Sequence, residues 1–513
     1  MTKAGRKILI NLFFIFLGTA LSHAQKNDYM WLQGYDSYGG YDAHLGLYFG
    51  NPVMNFNYSP VQITRDSLAM FFNWTNTSFS DSNGNLLFYT NGAYIANSLG
   101  DSIENGDSIN WGIWMAEIDP SHGSEGYLTK DGIYALQSLT NSNQYYIIHS
   151  LIDTNDESGG AILCTLLDMS LNQGRGQVIY KNQPLIIDKV ATGFTITRHA
   201  NGKYWWIMVQ KRNTNCYYRI LLDETGPHLI PDSVCGGATY TLDEYDFPMN
   251  FSQDGSKLIS VGYYAGLNIF DFDRCTGNIG NALNIPYPFL ADSEWTCAGL
   301  ATSPNSRYLY VSLAILLLQY DLWANDIPAS VDTIARYDGF NGQLPTYFCT
   351  AQNGPDGKIY ISCGNADTVY HVINNPDAKG DSCNFVQHGV YLPSPSCGIP
   401  SFPNYRLGAL PANACDTTIG VNAVQAAKEQ IIHIYPNPAN TYAIVDYGFT
   451  DWNKCQPDLE ICNILGQVVY TQTLPMYSGL QQIDISQFAT GTYAVFIKRG
   501  SGVVAVNKLV VVH

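Results

Sequence analysis

Charge is scarce in this chain. Only 13% of its 513 residues are Asp, Glu, Lys or Arg, about half the usual share, and they are lopsided, 43 acidic against 26 basic for a formal net charge of −17. A basic face of the kind that neutralises nucleic-acid phosphates or an anionic membrane surface is missing, which excludes both as partners held by charge. Chemistry-bearing motifs are missing too. There is no His-Glu-x-x-His, no Gly-x-Ser-x-Gly, no phosphate loop, no dinucleotide fingerprint and no Cys-x-x-Cys, and the closest two of the ten histidines are His371 and His388. The motif-borne enzyme classes therefore lose weight, and no metal or cofactor is expected. After the first 25 residues no run is apolar enough to span a bilayer, so no transmembrane segment is expected in the mature chain.

What the chain has in excess is aromatic rings and turns: 36 Tyr, 22 Phe, 9 Trp and 46 Gly. Aromatic bulk at low charge excludes disorder as the main state, and the length allows a large core. Residues 1–24 read as a secretory signal peptide, with Lys3, Arg6 and Lys7 before the apolar run Ile8 to Leu21 and small residues ahead of a cleavage site at Ala24/Gln25. A retained N-terminal anchor is the alternative. No Cys precedes Cys164, which excludes a lipid-modified N-terminal cysteine. In an exported chain the twelve cysteines read as disulfide partners rather than metal ligands. Cys349 and Cys363 lie symmetrically about Asp356-Gly357, so a hairpin places them opposite each other, either bridged or as two buried thiols facing one core.

A repeat organises residues 25–410. Six turns rich in Asn, Asp, Gly or Ser, anchored at Gly84, Gln144, Gly202, Gly255, Ser306 and Gly357, each precede a strand of Tyr, Ile, Leu and Val, at a spacing of roughly fifty to sixty residues. Asp-Gly and Asn-Gly between apolar runs predict hairpins whose two central residues both take positive φ. A unit of this length holds about four strands, and radial repetition of such units makes an all-β, about seven-bladed β-propeller, with six or eight blades as alternatives.

Ser252-Gln253-Asp254-Gly255-Ser256-Lys257-Leu258 and Gly354-Pro355-Asp356-Gly357-Lys358-Ile359-Tyr360 resemble the Ser-Pro-Asp-Gly-Lys repeats of TolB-like and WD-like propellers. The resemblance implies a blade turn and names no ligand. The stretch Asp81 to Gly92 is similar to the opening blade of large exported propellers from Bacteroidota.

Residues 411–430 are small and aperiodic and read as a linker. From 431 to 513 short alternating strands suggest a small Ig-like β-sandwich. Within it Tyr435-Pro436-Asn437-Pro438-Ala439, Ile464-Leu465-Gly466-Gln467, Gly491-Thr492-Tyr493 and Lys508-Leu509-Val510-Val511 resemble the type A C-terminal sorting domain of the type IX secretion system. That resemblance implies an exported cargo of a Bacteroidota cell, with residues 431–513 read by the translocon as its partner. On the residues alone, Pro436 and Pro438 only fix an extended segment and Gly466 and Gly491 only supply turns, as an ordinary adhesive sandwich would have them.

Candidate ligand residues are Asp243, Glu244 and Asp246 in one loop, and Asp292, Glu294 and Trp295 in another, where acid beside aromatic suits a sugar or cation. Solvated loop acids are the plainer reading. Trp111, Trp114 and Trp323 fall near strand ends, whereas Trp205-Trp206 within a strand puts one ring on each face. Asp-Ser/Thr-aliphatic triplets at Asp66, Asp101, Asp107, Asp232, Asp332 and Asp367 resemble the O-glycosylation sequon of Bacteroidota. Two functional readings follow: a secreted or surface propeller that binds a glycan or a surface protein through loops on one rim, and a secreted hydrolase with paired carboxylates at the channel mouth.

Overall fold

The computed structural model describes residues 25–513 except 36–39, 43–45, 69, 111–125, 153–158, 240–247, 263–264, 288–296, 343, 412–414, 416–430, 449–456, 464–466, 475–477 and 500–501. The proposed signal segment and Ala24 lie outside them. Gln25 is described, and its side-chain oxygen accepts from Arg198 Nη2 at 2.6 Å. Two compact units form, Met1–Cys415 and Asp416–His513. Among the described residues helix is confined to three single 3-10 turns.

All six anchor turns close the same way. Each anchor donates its backbone N–H to the carbonyl three residues back: Gly84 to Asp81, Gln144 to Asn141, Gly202 to His199, Gly255 to Ser252, Ser306 to Ser303 and Gly357 to Gly354, at 2.8–3.0 Å. Asp81, Asn201, Asp254 and Asn305 reinforce their turns by accepting the backbone N–H two residues on. This differs from the mirror-image turn expected from Asp-Gly and Asn-Gly. At five of the six only the anchor is left-handed, with φ from +62° at Ser306 to +87° at Gly84, Gln144 being the exception. The turns at Gly84 and Gly357 are three-residue hairpins ending in a bulge, while those at Gly202, Gly255 and Ser306 close one residue later. Glycine serves there because the left-handed position falls on the anchor.

Seven antiparallel sheets of three to five strands succeed one another over the described residues 30–396, beside one short hairpin, Tyr41–Asp42 with Leu47–Tyr48. Their first strands are Met30–Leu32, Thr77–Ser80, Ile133–Gln137, Thr195–Arg198, Met249–Phe251, Ala298–Thr302 and Ala351–Asn353. From each of the last six the chain steps outward, as in Ala298–Thr302, Tyr308–Leu313, Leu316–Asp321 and Asp332–Arg336. First strands adjoin from the first sheet to the third and from the fourth to the seventh, and the last strand of the seventh sheet, Phe385–Ser396, lies against Asn51–Asn55 of the first. The ring therefore closes on itself, and residues 30–410 are a β-propeller.

Both faces of a blade strand are buried between neighbouring blades, so apolar runs replace strict alternation. Trp205 and Trp206 are 3% and 4% exposed in separate clusters. Trp205 lies under the Arg198 guanidinium at 4.1 Å, and Trp206 Nε1 donates to Arg274 O at 2.9 Å.

Ring closure is carried by the segment after the seventh sheet. It runs inside the ring and then across the rim that carries the anchor turns. Ser401 N donates to Asn76 O and Tyr405 OH to Ala135 O, while Arg198 Nη2 donates to Tyr405 O and Asn404 Nδ2 to Gln253 O. Arg406 grips Asp28 with both guanidinium nitrogens at 2.7 and 2.8 Å. Burial works against the Arg406 charge, and Asp28 more than offsets it, holding the guanidinium above its ordinary range. Leu410 N donates to Ala200 O and a Cys275–Cys415 disulfide follows, so the chain stays bound to the ring past Leu410.

Two histidines are sealed inside the blades. Burial pushes His149 down to about 3, and burial together with neighbouring His388 pushes His371 to about 4. Asn110 Nδ2 donates to Gly92 O, so its Oδ1 accepts from His149 Nδ1–H, and Nε2 of the neutral ring then accepts from Thr165 Oγ1–H; this network assigns the neutral tautomer. Because the folded-state values lie below the unfolded value near 6.5, the unfolded chain binds more protons on acidification. The stability these imidazoles contribute is complete above about pH 6.5 and is lost as pH falls toward the folded values. A drop of about 2 kcal/mol per histidine between pH 6.5 and about pH 5 is expected. Urea titrations at the two pH values measure it, and a His149→Gln variant should lose correspondingly less.

In the second unit two sheets, Ile431–Tyr435 with Tyr442–Gly448 and Ser478–Asp484, and Val468–Thr473 with Asp458–Cys462, Gly491–Arg499 and Gly502–Val511, enclose one core that includes Val445, Leu459, Ile461, Ile483, Val495 and Leu509. It is a two-sheet sandwich.

Candidate binding face and sorting domain

The closing segment decides what the channel can do. Phe402, 6% exposed, stands in its middle, and Trp31 stacks on it at 5.9 Å. On either side remain cavities of ≈20 and ≈10 Å3, the first lined by Asp28, Thr197, Gln253 and Arg406, the second by Asp131, Asn250 and Gln352. Each is room for about one water, which needs roughly 10–15 Å3, and far too little for a sugar ring. The carboxylates in these linings are engaged: Asp28 holds Arg406, and Asp131 Oδ1 accepts from Ser401 Oγ at 3.1 Å.

The opposite rim is built differently. There a disulfide between Cys297 and Cys349 joins the entries to the sixth and seventh sheets, and a Cys216–Cys235 disulfide pins the fourth. The chain between Met30–Leu32 and Asn51–Asn55 makes an excursion on this rim that carries the short hairpin. Tyr41 and Tyr48, 54% and 53% exposed, pack side by side at 4.8 Å, with the Arg65 guanidinium 4.7 Å over the Tyr48 ring. Phe340 and Leu344, on the connection into the seventh sheet, are also exposed. Such amphipathic aromatics present an apolar body and a polar tip at low entropy cost.

The sequence candidates fall out as follows. Asp243, Glu244, Asp246, Asp292, Glu294 and Trp295 lie outside the described residues, as do Trp111 and Trp114. Segments 240–247 and 288–296 precede the first strands Met249–Phe251 and Ala298–Thr302, whose far ends bear the turns at Gly255 and Ser306, so both strands start at the rim opposite the turns. Trp323 is 64% exposed and pairs with Arg307, 5.4 Å from its ring. Ser67, Ser102, Ser233 and Thr333 of the Asp-Ser/Thr triplets are exposed, whereas Asp367 is buried. Tyr41 and Tyr48 were not singled out by motif or spacing; the signal available was the Tyr- and Gly-rich stretch from Tyr35 to Gly50, which lacks the apolar alternation of a blade strand.

The expected Cys349–Cys363 bridge is corrected: Cys349 is bonded to Cys297, and Cys363 is a buried free thiol. The hairpin register expected for the pair is present, with Ala351 opposite Ile361 and Gln352 opposite Tyr360, but the paired strands stop at Ala351. Beyond Ala351 a bulge sets Cys349 and Thr350 both opposite Ser362, Cys349 N donating to Ser362 O and Ser362 N to Thr350 O, which takes Cys349 out of register with Cys363. The Cys363 thiol donates to Val369 O at 3.1 Å within its own sheet. Burial raises the Cys363 thiol far above its ordinary value, so it is no nucleophile. Among the described residues no three His, Cys, Asp or Glu side chains converge as metal ligands, and no helix is long and apolar enough to cross a membrane.

In the sandwich, Asn437 explains the Pro-Asn-Pro segment. Its Nδ2 donates to Lys508 O at 2.7 Å and its Oδ1 accepts from Val510 N at 2.9 Å, clamping Pro436 and Pro438 to the final strand where neither proline can donate. Ala439 and Val511 continue that contact as a parallel bridge. Tyr493 is buried with its hydroxyl donating to Ala489 O, Gly491 opens its strand, the Lys508 side chain is exposed, and Gly466 lies outside the described residues.

Residues 433–512 match the family described as Secretion system C-terminal sorting domain. No curated protein matches the chain. Among solved structures it is similar to a functionally unknown protein from Desulfotomaculum acetoxidans, at 12% identity and TM-score 0.38, over 72% of this chain and 99% of that one. It is similar also to the Dos1 propeller, at 13% identity and TM-score 0.33 over 62% and 73%, and to a gluconolactonase, XC5397, from Xanthomonas campestris, at 10% and 0.29 over 66% and 85%. Likeness this loose carries neither ligand nor activity to the chain. The chain is an exported β-propeller whose residues 433–512 are a type IX secretion sorting domain, which directs it to the cell surface or the medium.

Proposed function

We propose that the propeller is a binding module that holds a glycan or a surface protein on the rim opposite the anchor turns. The observation that carries this reading is the closing segment: it fills the channel and crosses the turn rim, leaving the other rim, with its disulfide-pinned connections and the exposed Tyr41 and Tyr48 pair, as the face open to a partner. A hydrolase at the channel mouth would need two carboxylates free to flank a substrate, and Asp28 is committed to Arg406. The test is binding of the purified mature chain to a glycan array and to outer-surface extracts, each spot read again for loss of glycan. A Tyr41→Ala/Tyr48→Ala variant should bind about thirtyfold more weakly, since each ring contributes about 1 kcal/mol of stacking. Undiminished binding by that variant, or turnover of the glycan, would overturn the reading.

A further inference from the structure

The repeat itself exposes a second site. Just after the anchor turn, the fifth, sixth and seventh sheets each carry a base: Lys257, Arg307 and Lys358. In the fifth sheet Lys257 faces Asp271 in register and is bonded to it, and in the sixth Arg307 makes a two-pronged contact with Asp321 at 2.8 to 3.2 Å. In the seventh, Ile359 pairs with Ile373, so the residues facing Lys358 are Ile373 and Asn374. Both carboxylates are gone, and among the described residues no acid lies within ion-pairing distance of the Lys358 ammonium.

The surroundings of that unneutralised cation are apolar. Lys358 and Asn374 border a groove of about 280 Å3 at the seam where the first and seventh sheets meet, walled by Val61 and Ile63 on one side and Val372, Val386 and Tyr391 on the other. Tyr391 is 75% exposed and Val386 39%. The volume sits at the lower end of small-molecule sites, roughly 300 Å3, and the lining follows their pattern of apolar walls with a few polar groups. A single cation at the edge of an apolar groove selects an anion joined to an apolar body, because the anion answers the charge while the body removes Val61, Val386 and Tyr391 from water.

We infer that this seam groove binds a small amphipathic carboxylate, with its head group on Lys358 and its hydrocarbon part along Val61, Val386 and Tyr391. The site lies on the flank of the ring, away from the open rim, so its failure and the failure of the rim-binding reading are distinguishable.

The probe is decanoate, titrated into the full mature chain by calorimetry and by displacement of the fluorescent sulfonate 1-anilinonaphthalene-8-sulfonate. One equivalent should bind, with decanol and decylammonium about tenfold weaker or worse. Asn374→Asp restores the acid that the other two sheets possess and should weaken decanoate about tenfold by occupying Lys358, as should Lys358→Gln. Both positions are partly exposed, so the thermal midpoint should not move, and Val386→Glu supplies an independent block of the groove. Equal affinity for decanol and decanoate, or unchanged decanoate binding in Asn374→Asp and Lys358→Gln, would overturn the inference.

Discussion

Replacing residues 398–410 by a Gly-Ser stretch of equal length should leave a ring with no cooperative unfolding transition. The segment supplies Ile399, Phe402 and Tyr405, each 3–6% exposed, to a core shared with Trp31, Phe79 and Trp205. Truncating one such aromatic costs about 3–5 kcal/mol, against a total stability of about 5–15 kcal/mol for a domain. The loss of Arg406 adds to this by leaving Asp28, 2% exposed, as a buried unpaired charge. Breaking a buried pair costs about 3–5 kcal/mol, and the lower figure applies here because Arg406 retains 31% exposure. Single variants grade the effect: Phe402→Ala should lower stability by about 4 kcal/mol and Arg406→Met by about 3 kcal/mol. Near-ultraviolet circular dichroism of the full chain during thermal unfolding follows the ring's tryptophans. An unchanged midpoint in the replaced chain would show that the blades hold together without the segment.

That dependence marks the boundary of what was legible in the primary structure. The blade grammar is local, so it could be read: an Asx or Ser residue, an anchor three residues after the accepting carbonyl, then a buried strand. Even the hairpin about Asp356-Gly357 is present, in the register that sets Ala351 opposite Ile361. Partners chosen across blades could not be read in the same way. Cys349 finds Cys297 because two chain entries meet on one rim, and a segment that resembles a mere exit from the last blade becomes the element that joins Asp28 to Arg406 and Ala200 to Leu410. The Lys358 groove is an intermediate case. The base is visible in the repeat, but its missing acid is found only once the register sets Asn374 where Asp271 stands two sheets earlier. The Tyr41 and Tyr48 pair needed a hairpin that no turn motif announces.

Deletion of residues 431–513 should abolish surface delivery while leaving the propeller's stability unchanged. The two outcomes separate because the sandwich has its own core, with Val495 and Leu509 fully buried, and the ring is sealed by a segment and a disulfide that end at Cys415. Export should stop with the truncated chain on the periplasmic side of the outer membrane, and fractionation with surface protease digestion of intact cells measures it. A finer variant isolates the folded state of the sorting domain from its mere presence. Asn437→Ala removes both hydrogen bonds that clamp the Pro-Asn-Pro segment to Lys508 and Val510, which should destabilise the sandwich by about 1–3 kcal/mol. If the secretion machinery reads the folded sandwich, delivery of Asn437→Ala falls with temperature in step with the unfolding of the domain. Delivery of the truncated chain to the surface at the level of the full one would refute the sorting role of residues 433–512 in this protein.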